Sequence, residues 1–341
     1  MRPVKVGIVG IGWWSDVLAS AIRESALISV AACFSRSAEK TDAFANRFSC
    51  APMRTLENLL AFPELDGVIL TTPNSQHRAG VEAAAAAGKN IFLEKPIAHT
   101  LADGEAIIAA CRRAGVVLSV GHSYRRHAAM RRLRQLIEKD ELGRISLAQC
   151  VFSKDHGLRL RAEGWRSQSR ELPGGCLMQI GIHHIDNLLY LLGPISEVSG
   201  MFARLETVGG IEDVATLLLR FEGGAIGQIA ADYISADRFA LTVYGTKALA
   251  TFDLVEGLSL QRRGENAPER IPVMANDYLR DELEEFALCV HDGKPPEVDG
   301  NMSMKSLEVI TAAVESATSK RVVSLAHHDN NRGGETDVRI A

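Results

Sequence analysis

The sequence has no apolar run approaching the roughly 20 residues that a bilayer-spanning helix needs, so we expect no membrane partner. It has no block of one charge either, and a net charge of −4 gives no electrostatic reason to bind nucleic acid. No histidine, cysteine and carboxylate spacing typical of a metal site occurs, so we predict no bound metal. The sequence therefore predicts neither a membrane partner nor a nucleic-acid partner, and no metal.

A Cys-x-x-Cys pair is also absent, although the chain has six cysteines. They are scattered along its length: Cys33, Cys50, Cys111, Cys150, Cys176 and Cys289. Buried free thiols in a reducing cytoplasm explain this pattern best. Because Val4 already begins a strand, we expect no signal peptide, and we predict a cytoplasmic localisation.

What the sequence does contain is enough apolar residues for a large core. They make up 46% of the 341 residues, charged residues make up 23%, and the mean hydropathy is +0.02. This composition is typical of a globular protein, and the length predicts two domains. The patterns described next place them at residues 1–122 and 123–326, with a mobile polar tail at residues 327–341.

The first pattern is a strand at residues 4–9, a glycine turn and a helix at residues 16–25. Gly10 permits the tight turn, and Gly12 lets a pyrophosphate approach the helix N-terminus, where free N–H groups attract anions. This is the dinucleotide-binding fingerprint in its required context, although its third position, usually Gly or Ala, is Ser15. The alternative is a tight strand-to-helix turn with no ligand.

The end of the second strand, at residues 28–34, indicates which dinucleotide binds. An acidic residue at this point would bind the ribose 2′-hydroxyl of NAD, but the chain has Ser35, Arg36 and Ser37. An arginine flanked by hydroxyls suits a 2′-phosphate, so we favour NADP over NAD. The alternative is that Ser37 caps the helix at residues 38–48 while Arg36 is solvated.

Strands and helices continue to alternate, with further strands at residues 67–71, 90–93 and 116–120. This regular alternation with short connections predicts right-handed βαβ units. They form an N-terminal Rossmann domain, a doubly wound parallel sheet of the α/β class. Several candidate residues then share the carboxyl edge of the sheet, where such folds bind ligands. They are Gly10, Gly12, Arg36, Asn74, His77 and Lys95.

Lys95 stands at the end of the strand at residues 90–93. Pro96 stops that strand and restricts Lys95 to an extended or turn conformation. An ammonium at this edge can hold a substrate oxygen and, if desolvated, share its proton. The alternative is an ordinary solvated lysine.

From residue 145 the pattern turns to strands with hairpin turns. They predict a C-terminal α+β domain with a large, mostly antiparallel open sheet. Helices at about residues 278–291 and 304–319 are expected to close this domain. The predicted strands are at residues 145–153, 197–206, 213–221, 225–234, 239–244 and 248–253.

A helix that opens near residue 174 carries the other candidate catalytic residues. Gln179, His183 and Asp186 are spaced at i, i+4 and i+7, so they share one face. His183 can remove a hydroxyl proton, because histidine titrates near neutral pH. Asp186 either orients the imidazole or contacts substrate. A structural role is the alternative for His183, and it is the role we assign to His184.

Two aromatic and arginine pairs complete the candidate residues. Tyr124 and Arg125 follow the last strand of the first domain, and Trp165 and Arg166 lie in the second. Arginines close to a binding cleft would suit an acidic substrate, such as a uronate or a carboxylated ring diol. Solvated surface arginines are the alternative.

Four motifs in this order resemble those of the Gfo/Idh/MocA oxidoreductases. The resemblance extends from about Val4 to Leu325, and it rests on the order of the motifs, since each is common alone. The motifs are Gly10-x-Gly12, Thr72-Pro73-Asn74-x-x-His77, Glu94-Lys95-Pro96 and Gly174-Gly175 with Gly181-x-His183-x-x-Asp186.

The resemblance implies an enzyme that moves hydride between NAD(P) and a secondary alcohol or ketone of a sugar, cyclitol or related ring. Its catalytic residues would be Lys95, His183 and Gln179. The family typically has an acidic residue where Gln179 stands, which puts the polyol specificity of inositol dehydrogenases in doubt. The resemblance also implies a homodimer or homotetramer formed through the C-terminal sheet.

The resemblance and the fingerprint together give the expected contacts. Substrate-binding residues would be Tyr124, Arg125, Trp165, Arg166 and Asp186. Cofactor-binding residues would be Gly10, Gly12, Trp13, Trp14, Ser35, Arg36, Thr72, Pro73, Asn74, His77, Glu94 and Lys95.

Two alternatives come from relatives with other functions. One is an NAD-dependent glycoside hydrolase, which holds its cofactor through a cycle with no net oxidation. The other is a non-catalytic nucleotide-binding regulator that has lost the catalytic lysine. The presence of Lys95 and His183 argues against the regulator.

Overall fold

A computed structural model of the protein describes residues 2–325, so the tail predicted at residues 327–341 lies outside the described residues. The chain divides into two compact units, each made of separate stretches. Unit 1 comprises the chain up to Arg131 together with Arg170–Leu172 and Met274–Leu307. Unit 2 comprises Arg132–Ser169, Pro173–Val273 and the chain from Glu308 onward.

Unit 1 is built on a six-stranded parallel sheet in the order β3-β2-β1-β4-β5-β6. This is the strand order of a doubly wound dinucleotide-binding fold, which confirms the predicted Rossmann sheet. The strands are β1 (Val4–Val9), β2 (Ile28–Phe34), β3 (Ala51–Pro52), β4 (Gly67–Leu70), β5 (Asn90–Glu94) and β6 (Leu118–Gly121). The helices between them are α1 (Trp13–Ala21), α2 (Ala38–Phe48), α3 (Leu56–Leu60), α4 (His77–Ala86) and α5 (Leu101–Ala114), and α6 (Ala128–Glu138) follows.

Side-chain caps fix where these helices begin. Ser37 Oγ accepts a hydrogen bond from the Lys40 amide at 3.3 Å, so Ser37 caps α2 as the sequence alternative predicted. Helix α1 begins at Trp13 and ends at Ala21, earlier than the predicted residues 16–25.

A helix from the C-terminal half completes the core of unit 1. This helix, α8 (Tyr278–Asp292), was expected to close the C-terminal domain. Instead its Phe286 is fully buried with Ile8 of β1, and its ring centroid lies 6.0 Å from that of Phe92. Amphipathic spacing identifies the apolar face of a helix but not the sheet that the face covers, so the helix could be predicted from the sequence but its packing partner could not.

Unit 2 contains a nine-stranded sheet in the order β14-β13-β12-β11-β7-β10-β9-β8-β15. Only the pairing of β7 with β10 is parallel, which confirms the predicted large and mostly antiparallel sheet. Its strands are β7 (Ile145–Ser153), β8 (Ile195–Ala203), β9 (Val214–Phe221), β10 (Ile226–Asp232), β11 (Arg238–Gly245), β12 (Ala248–Asp253), β13 (Gly257–Arg262), β14 (Glu269–Ile271) and β15 (Val323–Ser324).

The six predicted strands correspond to β7 to β12, with ends that differ by a few residues. The other three strands were not predicted. β14 and β15 have only three and two residues, and β13 offers only two buried leucines, Leu258 and Leu260, in an otherwise polar segment. Helix α7 (Ile182–Leu192) belongs to unit 2, whereas α9 (Gly300–Ser319) is divided between the two units after Leu307.

Two further observations bear on the sequence predictions. All six cysteines are free thiols, and only Cys50 is not buried. In the part of the chain that the structure describes, no helix is both long and apolar enough to cross a membrane.

Candidate active site

The glycine turn after β1 has the geometry that the fingerprint requires. Gly10 has a φ of +91°, and a Cβ there would lie 2.9 Å from the backbone of Thr71, so a side chain is excluded. A Cβ on Gly12, in contrast, would point into open space. The backbone is therefore accessible at the N-terminus of α1, where a pyrophosphate would be held.

Ser15, the departure from the fingerprint, has a structural explanation. Its hydroxyl donates a hydrogen bond to the Gly12 carbonyl at 2.7 Å and accepts one from the Gly12 amide at 2.9 Å. This reciprocal cap starts α1 earlier than predicted and holds the glycine turn closed. The serine thus supports the nucleotide-binding geometry, and it is buried, as the third position of the fingerprint requires.

The loop after β2 presents Arg36 to solvent. The Ser35 side chain does not point to solvent beside Arg36, because the Ser35 amide and hydroxyl are both hydrogen-bonded to Thr41 Oγ1, at 3.0 and 3.1 Å. Ser37 is used as the cap of α2. Arg36 is exposed and makes no ion pair with any described residue, so its guanidinium is available to an anionic ligand.

The loop after β4 is joined to the end of β5 by His77. Its Nδ1 lies 2.9 Å from the Pro96 carbonyl oxygen and its Nε2 lies 3.0 Å from the Thr72 carbonyl oxygen. His77 is buried, and burial lowers the pKa of its imidazole. Both ring nitrogens are thus occupied by backbone, which indicates that His77 positions the segment around Lys95. Thr72 Oγ1 is buried without a hydrogen-bond partner among the described residues, which fits a ligand at this edge.

Glu171 contacts this loop, and the sequence did not reveal that contact. Its carboxylate accepts hydrogen bonds from the Ser75 amide at 3.1 Å and the Ser75 hydroxyl at 2.8 Å, and Asn74 Nδ2 donates to its carbonyl at 2.9 Å. Glu171 belongs to the short stretch of unit 1 that lies far along the chain. No local pattern connects residues that are 96 positions apart.

Glu94 and Lys95 end β5 at the same edge of the sheet. Glu94 is buried, and burial raises the pKa of its carboxyl to about 7, against the opposing effects of the Trp14 indole and the Lys95 charge. The Trp14 indole nitrogen lies near Glu94 but does not reach hydrogen-bond geometry. Trp13, its neighbour in the turn, is exposed. The Glu94 side chain therefore lies inside unit 1, whereas that of Lys95 is only partly buried.

Replacing Glu94 with glutamine is expected to stabilise the protein more at about pH 8 than at about pH 5. In the folded state the pKa of Glu94 is about 7, above the ordinary 4.5. The free energy of unfolding therefore falls as pH rises from about 4.5 to about 7, by up to roughly 3 kcal/mol, and glutamine removes this loss. Thermal unfolding at both pH values measures the difference. Glu105→Gln, which removes an exposed carboxylate, is the control. An equal gain at both pH values would contradict the assignment.

The positive charges of the two arginines after β6 are balanced by carboxylates of unit 1. Arg125 is only 2% exposed and its guanidinium lies 3.9 Å from Glu297, while Arg126 pairs with Glu285 at 2.8 Å and with Glu297 at 3.5 Å. Burial opposes ionisation of Glu297, but the guanidiniums around it hold its pKa below the ordinary value. This placement argues against a contact between Arg125 and a substrate. Tyr124 is partly buried, with its ring 5.8 Å from that of Tyr278.

In unit 2, the histidine-rich helix presents one accessible face. A π-helical turn at Leu177–Gly181 leads into α7, where one regular helix was expected. From Cys176 to Leu189, Gln179 and His183 are the two residues that are not buried. They therefore share the accessible face, and π turns of this kind occur frequently at functional sites.

The other polar residues of α7 lie inside unit 2. Asp186 is buried, which favours a role in orienting neighbouring groups over direct contact with a substrate. His184 Nε2 lies 3.0 Å from the Val151 carbonyl oxygen, and its ring stacks on that of Phe239 at 4.2 Å. Burial lowers the pKa of His184 to about 4, so it is a neutral core residue, as predicted.

Trp165 and Arg166 form a stacked pair in unit 2. They lie in a short 3₁₀ turn, Trp165–Ser167, and the Arg166 guanidinium carbon is 4.2 Å from the centre of the Trp165 ring. Among residues 2–325, no group of three or more His, Cys, Asp or Glu side chains is placed to hold a metal ion.

Comparison with known proteins assigns both halves of the chain to one family. Residues 4–122 match the model described as "Oxidoreductase family, NAD-binding Rossmann fold", and residues 130–251 match the GFO/IDH/MocA C-terminal domain. The chain belongs to the Gfo/Idh/MocA family. It is an NAD(P)-dependent oxidoreductase, and the resemblance seen in the four sequence motifs is confirmed.

Individual relatives agree with this assignment. A 1,5-anhydro-D-fructose reductase from Ensifer adhaerens is 30% identical over 315 residues, which cover 87% of this chain and 91% of the relative. A Desulfitobacterium hafniense protein classed as an oxidoreductase has 34% identity and a TM-score of 0.91, covering 95% of this chain and 98% of that one. The aldose-aldose oxidoreductase of Caulobacter crescentus, crystallised with glycerol, has 28% identity and a TM-score of 0.87 over 95% of this chain and 100% of that one.

Proposed function

We propose that the protein transfers hydride between a nicotinamide nucleotide and a secondary alcohol or ketone of a sugar, cyclitol or related hydroxylated ring. The observation that carries the proposal is the gathering of the glycine turn, Arg36 and Lys95 at the carboxyl edge of one parallel sheet. The relatives named above act on sugars or sugar derivatives, or are classed as oxidoreductases. They include no hydrolase, and both Lys95 and His183 are present, so neither alternative function gains support.

The proposed roles follow from the chemistry of each side chain. When bound, the nicotinamide accepts or supplies the hydride. His183 removes the proton of the substrate hydroxyl during oxidation and returns it during reduction. Lys95 donates a hydrogen bond to the oxygen that develops negative charge. Gln179 stands beside His183 on the accessible face, and it binds a neighbouring hydroxyl without carrying charge.

The test is a screen for reduction of the nucleotide, read by the absorbance of reduced nicotinamide. NADP and NAD are each paired with neutral sugars, uronates, cyclitols and ring cis-diols. Substrate-dependent reduction by the wild-type protein is the expected result. Bound nucleotide with release of a sugar and no absorbance change would overturn the proposal in favour of the hydrolase.

We propose that NADP is preferred over NAD because Arg36 is exposed and has no ion-pair partner among the described residues. Arg36→Glu is expected to lower the ratio of kcat/KM with NADP to kcat/KM with NAD by roughly 10- to 100-fold, since a charge-assisted bond to the 2′-phosphate is replaced by repulsion. Steady-state kinetics with both nucleotides measures the ratio. Lys40→Glu makes the same charge change on α2 and is the control; an unchanged ratio in Arg36→Glu would refute the role.

We also propose that unit 2 forms a homodimer or homotetramer through the open face of its sheet. The strand register places Met201, Leu218 and Ile226 on one face, where they are 77%, 54% and 40% exposed. Exposed apolar side chains grouped in this way are typical of a protein interface. Light scattering in solution measures the mass, and a monomeric mass of 37.0 kDa would contradict the proposal.

A further inference from the structure

The parallel pairing of β7 with β10 brings several residues of unit 2 to one edge of its sheet. Phe152 and Ala231 are opposite one another in that pairing, so both strands end at the same edge. The His183 ring centroid lies 6.0 Å from that of Phe152. Tyr233 follows the end of β10 directly, and the segment that contains Trp165 and Arg166 follows the end of β7.

The turn that carries Arg166 is held rigidly. Ser167 is buried, and its hydroxyl donates to the Arg161 carbonyl at 2.6 Å. The Gly210 amide donates to the Ser167 carbonyl at 2.9 Å, and a Cβ on Gly209 would lie only 2.3 Å from that same oxygen. The turn is thus packed against its neighbouring loop, and the position of Arg166 is fixed before any ligand arrives.

Arg166 carries a charge that the protein does not compensate. The other basic residues of this segment include Lys154, paired with Asp237 at 2.7 Å, and Arg159, paired with Asp155. Arg166 has no ion pair with any residue in the described part of the chain, and its guanidinium rests on Trp165.

Burial lowers the pKa of Arg166, and the ionisable neighbour that acts on it in the opposite sense is Tyr233. The side chain is nevertheless exposed, so the guanidinium is accessible to a ligand. Because no described residue forms an ion pair with this guanidinium, an anion that binds there supplies a charge-assisted hydrogen bond that the described residues do not.

We propose that Arg166 is a specificity-determining residue that binds an oxyanion, carboxylate or phosphate, carried by the sugar substrate. This inference rests on the proposed function and adds to it the class of substrate, an acidic sugar. A guanidinium suits this task because its planar fork donates two parallel hydrogen bonds to an oxyanion. The Trp165 ring keeps the fork oriented, and the position of Arg166 at the same sheet edge as His183 places charge recognition beside the proposed base.

Matched substrates test the inference. Aldoses of gluco, galacto and manno configuration are each compared with the uronate and the 6-phosphate of the same configuration. The wild-type protein is expected to favour an acidic member over its neutral partner by roughly 10- to 100-fold in kcat/KM, as expected for loss of a hydrogen bond to a charged group. The acidic member that is favoured identifies the oxyanion.

The variants separate recognition from folding. Arg166→Gln is expected to raise KM for the acidic sugar by the same factor and to raise KM for the matched neutral sugar far less, and Arg166→Lys is expected to restore binding of the acidic sugar in part. Arg161→Gln removes a nearby exposed arginine that has no ion pair among residues 2–325, and it is the control. Wild-type protein that does not discriminate, or Arg166→Gln that loses both substrates equally, would overturn the inference.

A binding measurement distinguishes failure of this inference from failure of the proposed reaction. Uronate and neutral aldose are each titrated into protein that is saturated with NADP, and binding is followed by tryptophan fluorescence. The Trp165→Phe variant shows whether Trp165 gives the signal. Binding of uronate that requires Arg166, without turnover of any sugar, would refute the reaction and retain the anion site. Turnover that shows no preference for the acidic sugar, with no effect of Arg166→Gln on KM for that sugar, would refute the anion site and retain the reaction.

Discussion

Lys95→Ala is expected to lower kcat by about 10²- to 10⁴-fold, the range for loss of a positioned proton donor or of a hydrogen bond to a developing oxyanion. Affinity for the nucleotide is expected to stay nearly unchanged, because the glycine turn and Arg36 are separate from the ammonium group. Turnover is measured with the substrate found in the screen, and nucleotide binding is measured by titration in its absence.

The same strand offers a matched control. Lys89 precedes β5, at the opposite end from Lys95, and its ammonium donates to the Leu65 carbonyl at 2.8 Å. Lys89→Ala therefore removes the same chemical group from the far edge of the sheet, and it is expected to leave turnover intact. Wild-type turnover in Lys95→Ala, or equal losses in both variants, would remove Lys95 from the mechanism.

His183→Ala is expected to produce a comparable loss, about 10²- to 10⁴-fold in kcat, because oxidation then lacks its general base. The wild-type pH profile of kcat/KM is expected to show an ionisation near neutral pH that the variant lacks. Added imidazole is expected to restore part of the activity, and a purely structural role for His183 would not give this rescue.

Two histidines serve as comparisons for His183. His184 is a neutral core residue, so its loss would change stability before it changed the pH profile. His291→Ala removes a ring that lies on α8, 2.9 Å from the Arg2 carbonyl oxygen, and it is expected to keep both activity and pH profile. A pH profile for His183→Ala identical to that of the wild type would reject the assignment of the base.

Features that depend on neighbouring residues in the sequence could be predicted well. Short segments of sequence determine the glycine turn, the cap at Ser37 and the ends of the parallel strands. These features place Arg36 and Lys95 at one edge of the parallel sheet. Spacing also predicted one face for Gln179, His183 and Asp186. Gln179 and His183 are indeed the accessible residues there, but Asp186 is buried.

Features that depend on distant residues could not be predicted. Arg125 was predicted to bind substrate, and the sequence does not show that Glu297 lies beside it in the fold. The contact of Glu171 with Ser75 was missed for the same reason. The π turn before α7 was missed because its sequence is compatible with an ordinary helix.

The position of Phe286 and its helix α8 in the core of unit 1 has a consequence for synthesis of the protein. Phe92 and Ile8 leave the ribosome early, but the helix that covers them is made only after most of unit 2. Domains generally fold during synthesis with the N-terminal one first. Here the nucleotide-binding unit cannot complete its core until nearly the whole chain has been translated, and part of its apolar sheet stays uncovered until then.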